Sequence, residues 1–179
     1  MVVDINAVRK ARLGDKESFA EVYRQIADDL YKVSLYWLGS AHDAQDVVSE
    51  TFIEAFKGIK NLRDENSFKP WIMRILSIRC KRKIKQYITG RNHLDIDDFL
   101  DLSDDGTSLE ESSSNRIALL HALKTLTPQE REIVAFTVIQ GYTVRETAEI
   151  LGAPQGTVSS KLHRTLKKLR KQLEDQGKE

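Results

Sequence analysis

A single cysteine, Cys80, excludes an internal disulfide and leaves no second thiol to complete a metal site. Lying on an apolar helical face, it reads as a small core residue. Long apolar runs are also missing. No stretch of about 18 apolar residues exists, which excludes a membrane-spanning helix. Residues 1–13 lack the apolar core and small-residue cleavage site of a signal peptide, so the chain is expected to stay in the cytoplasm without membrane insertion. No period-two alternation persists and no hairpin dipeptide separates apolar runs, so strands are not expected. The four histidines, His42, His93, His121 and His163, are scattered, and neither a glycine-rich phosphate loop nor metal-ligand spacing is present. No enzyme activity, cofactor or metal is expected.

What remains is a charge-rich composition, 40% hydrophobic and 31% charged, typical of a soluble folded protein. The 179 residues allow one ordinary domain or two small ones. The formal net charge of +1 conceals three blocks: +5 over residues 1–93, −8 over residues 94–115 and +4 over residues 116–179. Two basic segments flanking an acidic one suggest two polyanion-binding units joined by a solvated connector.

Helical periodicity accounts for most of the chain. Phe19, Val22, Tyr23, Ile26, Leu30, Val33 and Trp37 recur at steps of three and four, with Asp15 as N-cap and Gly39 as terminator. A second helix is expected over residues 43–59. A third begins near Ser67, tolerates Pro70 in its first turn, and runs to about Gln86. From Thr89 to Ser114 periodicity stops among Asp95, Asp97, Asp98, Asp101, Asp104, Asp105, Glu110 and Glu111, which is linker chemistry interrupted by Leu94, Ile96, Phe99, Leu100 and Leu102. A short helix follows around residues 116–124. Thr127, Pro128 and Glu130 form one capping box, and Thr143 with Glu146 a second, whose helix ends at Gly152. After Pro154, the stripe Val158, Leu162, Leu166, Leu169 and Leu173 runs along one final helix. The expected fold is all-α: helical units at 1–88 and 115–179, joined by an acidic linker at 89–114.

A short helix, a turn with glycine and a longer helix with a polar, basic outer face make a helix-turn-helix. No acidic residue occurs from Lys161 to Leu173. Residues early in such a helix reach base edges and later cations lie along phosphates. That assigns Gln155, Ser159, Ser160 and Lys161 to bases, and Arg164, Lys167 and Lys168 to the backbone. In the first half Lys81, Arg82, Lys83 and Lys85 crowd a helix end, where nucleic-acid binding and simple compensation of the helix dipole are both open. The aromatics Phe52, Phe56, Phe68 and Trp71 are core residues first and stacking platforms second.

Four segments together resemble the sigma factors of bacterial RNA polymerase. DAQDVVSETFIEAF (residues 43–56) is similar to their polymerase-binding helix, and FKPWIMRI (68–75) to the promoter-melting helix that follows it. TPQER (127–131) and PQGTVSSKLHR (154–164) complete the set in family order, and the two-unit layout resembles the extracytoplasmic-function group. The resemblance implies core-polymerase contacts by Asp43, Asp46, Val47, Glu50, Thr51 and Glu54. It implies minus-10 DNA contacts by Asn66, Phe68, Lys69, Trp71, Arg74, Arg79, Lys81, Arg82, Lys83 and Lys85. At the minus-35 element it implies Thr143, Arg145, Gln155, Thr157, Ser159, Ser160, Lys161, His163, Arg164, Lys167 and Lys168. Core RNA polymerase, promoter DNA and an anti-sigma factor are the implied partners. The chain departs from the family pattern at Ile78 and Arg82, where asparagine and aspartate are frequent, and at Ser159 and Leu166, where basic residues are common. The competing reading is a helix-turn-helix regulator that never joins polymerase, for which the 43–56 and 68–75 segments would have no purpose.

Overall fold

The computed structural model describes residues 1–90, 122 and 125–176. Seven α-helices, and no strand, occur among the described residues. In the first half these are α1 (Ile5–Arg12), α2 (Lys16–Leu38), α3 (Ala41–Gly58) and α4 (Phe68–Gly90); α5 (Pro128–Val134), α6 (Val144–Leu151) and α7 (Gln155–Gln176) form the second. No described helix is long and apolar enough to cross a membrane. Helix α4 runs two residues into the segment expected as linker. The rest of that segment, and the expected 116–124 helix apart from Ala122, lie outside the described residues.

Local chemistry starts and stops these helices. The Asp15 carboxylate accepts from the Glu17 amide at the head of α2, and Gly39 closes that helix in the left-handed region at φ 78°. Ser40 caps α3 by accepting from the Asp43 amide. Helix α1 was not anticipated; Asp4 caps it, and Ala7, Val8 and Ala11 bury its inner face. Both expected capping boxes form, Thr127 with Glu130 and Thr143 with Glu146, and Gly152 ends α6 at φ 64°.

Helices α2, α3 and α4 enclose the main core, whose fully buried members include Ile26, Leu30, Phe68, Ile72, Met73 and Leu76. Cys80 lies among them; burial pushes its thiol pKa up, so it packs as an inert apolar group. At Gly58 an added Cβ would sit 3.2 Å from the Trp71 ring, so glycine there permits the close approach of α3 and α4.

The second half packs on the first. After α5 the helix widens into a π-helical turn over Ala135–Ile139. Ala135 and Phe136 are fully buried there, with Phe136 edge-on to Trp37 at 5.8 Å and 76°. Tyr36 covers a small cluster of Ala122, Leu126, Val134 and Leu169, and the Gln140 side chain donates to the Asp29 carbonyl at 3.4 Å. The helix-turn-helix retains only a modest core of its own, Ile133, Ala148 and Val158. The apolar stripe of α7 also differs from expectation. Thr165 is buried between Leu162 and Leu169, whereas Leu166 and Leu173 are exposed, because a 3.6-residue period places 158, 162, 165 and 169 on one face.

Phe136→Ala removes a ring buried between the halves and should cost about 3–5 kcal/mol in urea unfolding. In a Trp71→Phe background, where Trp37 is the remaining tryptophan, its emission should shift to longer wavelength. Unchanged stability and emission would mean that this contact does not hold the halves together.

Candidate nucleic-acid and partner interfaces

Helices α3 and α4 run antiparallel, and a ladder of ion pairs connects them. Arg79 reaches Glu54 at 2.8 Å and Glu50 at 3.5 Å; one turn further along α4, Lys83 sits 2.9 Å from Asp43 and 3.1 Å from Asp46. Tyr87, another turn on, donates its hydroxyl to Asp43. The spacings 46, 50, 54 and 79, 83, 87 are i, i+4, i+8 repeats, which place each set on one stripe.

The members of the ladder differ in depth. Asp43 is 4% exposed. Burial alone would raise its pKa, but hydrogen bonds from Tyr87, Lys83 and Ser40 outweigh that and hold the carboxyl below its usual range. Lys83 is displaced in the complementary direction: burial would lower its pKa, and Asp43 with Asp46 raise it. The Tyr87 hydroxyl is pushed up to about 12 by burial and by the neighbouring Asp43 carboxylate. His42 approaches the same two aspartates at 3.8 and 3.5 Å, and the Lys83 ammonium bridges their carboxylates. By contrast Glu50 and Glu54 keep about half of their side-chain surface in water. Their pairs with Arg79 are of the surface kind, each worth roughly 0.2–1 kcal/mol.

Of the residues expected to meet polymerase, exposed Glu50 and Glu54 and half-buried Asp46 form an acidic ridge. Val47 and Thr51 are buried, and the Thr51 hydroxyl donates to the Val47 carbonyl at 2.7 Å. With Asp43 also inward, these three shape the ridge from beneath and do not present side chains to a partner. Exposed Ile53 and Phe56 flank the acids on the same helix and were missed as surface residues, since periodicity had assigned Phe56 to the core stripe.

Ahead of α4, Asp64 caps a 3-10 turn over Glu65–Ser67, accepting from the amide and side chain of Asn66 at 3.1 Å each. Arg12 and Arg9 of α1 clasp Glu65 at 3.0 and 3.7 Å, and Arg12 also donates to the Arg63 carbonyl. Exposed Asn66 is thereby held on an ordered turn. Phe68 is buried, Trp71 and Lys69 are half-buried, and Arg74, Ile78, Arg82 and Lys85 lie along the outer ridge of α4. Phe68 therefore supports this surface from within. Lys81 turns toward the second half, pairing with Glu132 at 3.0 Å and donating to the Leu151 carbonyl at 3.4 Å. Glu132 is buried, and burial raises its pKa against the opposing pull of Lys81. A cleft of about 650 Å³ lies beside this pair, lined by Trp37, Lys81, Ile84, Glu132, Val158 and Lys161 among others.

In the second half α6, the Gly152 turn and α7 form the expected helix-turn-helix. Gln155, Thr157, Ser159, Ser160, His163, Arg164 and Lys167 are exposed along α7, while Thr143 and Arg145 are exposed on α6, with Thr143 capping and Arg145 paired to Glu149. Lys161 and Lys168 point elsewhere. The Lys161 ammonium donates to the Gln129 side chain at 2.6 Å, and Lys168 to the Thr125 carbonyl at 2.7 Å and Glu130 at 3.3 Å. Both tie α7 to the start of α5, because steps of three and four from buried Val158 and Thr165 bring 161 and 168 to the flank of the inner face.

The two halves match two models of one family, in chain order. The sigma-70 region 2 model matches residues 22–89 and the sigma-70 region 4 model matches residues 122–171. The chain belongs to the sigma-70 family. Its similarity to extracytoplasmic-function sigma factors extends nearly end to end. It is 29% identical to BldN of Streptomyces coelicolor over 177 residues, covering 96% of this chain and 66% of that protein. To SigW of Bacillus subtilis it is 29% identical over 184 residues, covering 94% and 95%. The fold is similar to that of CnrH, solved with the cytosolic domain of CnrY, at TM-score 0.69 and 20% identity over 96% and 97% of the two chains. It is also similar to Bartonella quintana RpoE, solved with the anti-sigma factor NepR, at TM-score 0.66 and 19% identity over 88% and 98%. The sigma factor is thus of the extracytoplasmic-function type, all-α and non-enzymatic.

Because the fold lowers the Asp43 pKa, the stability that this carboxylate adds is present above its unfolded value near 3.8 and is lost as pH falls through the native value. Asp43→Asn should lower stability near neutrality and flatten the loss of stability between about pH 5 and pH 2. Chemical denaturation across that range checks it. An acid limb as steep as that of the wild type would show that Asp43 does not carry the effect.

Proposed function

We propose that this sigma factor binds core bacterial RNA polymerase and directs promoter-specific initiation, with residues 1–88 opening the minus-10 element and residues 115–179 holding the minus-35 element. Residues 89–114 serve as the acidic connector, and the site of action is the cytoplasm. The observation that carries this reading is the pairing of an acidic ridge, half-buried Asp46 and exposed Glu50 and Glu54, with a helix-turn-helix whose outer face carries Arg164 and Lys167 and no acid from Lys161 to Leu173. A pure operator-binding regulator would have no use for the ridge.

Scale adds a constraint. Promoter elements about 25 base pairs apart are separated by on the order of 80 Å at about 3.4 Å per pair. A compact chain of this length has a radius of gyration of about 16 Å and so spans roughly 40 Å. The packed halves cannot reach both elements at once, so engagement requires the Trp37–Phe136 and Lys81–Glu132 contacts to open. The polymerase surface is the scaffold that holds them apart. An anti-sigma factor would act in the opposite sense, as an inhibitor occupying the sigma factor; both CnrH and RpoE were solved as complexes, the latter with a named anti-sigma factor.

Within α7 we assign base reading to Gln155, Ser159 and Ser160, and phosphate contact to Arg164 and Lys167. Lys161 and Lys168 brace the helix instead.

Run-off transcription with purified core polymerase tests the central claim: the sigma factor should confer promoter-dependent transcripts, and its failure to join core would restore the regulator reading. Asp46→Arg with Glu50→Arg should weaken core binding by at least about tenfold while the helical content is retained, since close interfacial charge pairs couple strongly. Core affinity equal to the wild type would remove the ridge from the interface.

At the other end, Arg164→Gln or Lys167→Gln should weaken binding across promoter variants and reduce the salt slope by about one. Gln155→Ala should instead alter preference at one or two bases with the slope retained. Identical, sequence-independent losses from all three substitutions would refute this division of labour.

A further inference from the structure

The ion-pair ladder sets the two interfaces of the first half against each other. Glu50 and Glu54, assigned to polymerase, are the partners of Arg79, assigned to DNA; Asp46, assigned to polymerase, shares Lys83 with buried Asp43. Each cation already faces two acids of α3, so a phosphate would compete with these carboxylates for the same charge and the same donors. In the free protein the Arg79 side chain is 19% exposed and the Lys83 side chain 23%, so their charge is turned inward and largely neutralised.

We infer that core polymerase and DNA are coupled by ion-pair exchange across α3 and α4: a basic polymerase surface takes Glu50 and Glu54, and Arg79, released from them, becomes available to the DNA backbone. The inference rests on the reading of α3 as the polymerase-binding helix and α4 as the DNA-binding helix. Geometry favours Arg79 as the switched cation. Its carboxylate partners are about half exposed, so a partner can reach them without unfolding anything, and pairs of this kind are weak enough to be traded. Lys83 is held more firmly, since one of its partners is buried and also bound by Tyr87. On α4, Arg79 lies one residue from exposed Ile78, and its long stem lets the guanidinium swing from the seam to the outer ridge without moving the helix.

The exchange makes DNA binding conditional on polymerase. A free sigma factor keeps a cation of its melting helix paired, which weakens promoter-independent attachment to nucleic acid. Linkage requires the coupling to be reciprocal: whatever frees the acids strengthens polymerase binding, and whatever frees Arg79 strengthens DNA binding.

A double-mutant cycle on the full chain tests this, with fluorescein-labelled dT20 as the DNA probe and purified core polymerase as the second ligand. Glu50→Gln with Glu54→Gln should raise the free protein's affinity for dT20 by about fivefold and steepen its salt slope by about 0.7, the value for one added cation on a single strand. In an Arg79→Met background the same two substitutions should change neither quantity. Arg79→Met alone should tighten core binding, because it leaves the two glutamates unpaired. Equal gains in both backgrounds would reduce the effect to the general field of two lost charges and overturn the exchange, as would no gain in either. If the glutamate substitutions weaken core binding as the ridge requires while Arg79→Met leaves it unchanged, the exchange fails and the polymerase assignment stands. If the glutamate substitutions leave core binding at the wild-type value, the assignment itself falls, and the exchange with it. Thermal melting of each variant verifies that all of these surface substitutions fold.

Discussion

The seam between α3 and α4 is the constraint from which the functional surfaces follow. At one end Asp43 is buried beneath Tyr87 and Lys83; at the other, Gly58 lets the Trp71 ring come within contact distance of α3. A buried carboxylate is tolerated only when hydrogen-bonded and paired, so its partners must occupy one arrangement and not several. With both ends pinned, the angular positions of every other side chain are set. Asp46, Glu50 and Glu54 come to the surface of α3, and Arg74, Ile78 and Arg82 form the ridge of α4.

The second half obeys a different constraint, which is size. Three short apolar residues make up the buried centre of its helix-turn-helix. A unit of roughly 60 residues is marginal because so little of its surface can be removed from water. Phe136 and Ala135 are therefore buried against α2, and the helix widens by a π turn where they meet it. The same packing draws the Lys81 ammonium toward buried Glu132. Separating the halves would thus uncover an aromatic contact as well as an ion pair.

These two constraints occupy the first half's cations in different ways. Arg79 and Lys83 are paired within the half, across the seam; Lys81 is paired between halves. The compact sigma factor accordingly leaves less unpaired positive charge along α4 than its composition implies.

The sequence by itself determined the helices, their caps and the order of the parts. Asp15, Ser40, Thr127 and Thr143 act through hydrogen bonds spanning two or three residues, and such local chemistry is legible without a fold. The helix-turn-helix was legible for the same reason, its glycine turn and outer polar face being local patterns. Helix α1 is equally local, with Asp4 as cap before Ala7, Val8 and Ala11, but at eight residues it is too short for its periodicity to stand out. Only the tertiary structure decided which charged side chains face outward and which pair within the chain. Lys161 and Lys168 carry the same charge as Lys167, yet bend back to Gln129 and Thr125; Asp43 stands three residues from Asp46 but is buried; Arg79 and Lys83 hold the acids that the motifs had assigned to another protein. Long charged side chains find their partners across helix seams, between residues 25 to 40 positions apart. A motif records which residues are present and cannot encode which of them the packing turns toward one another.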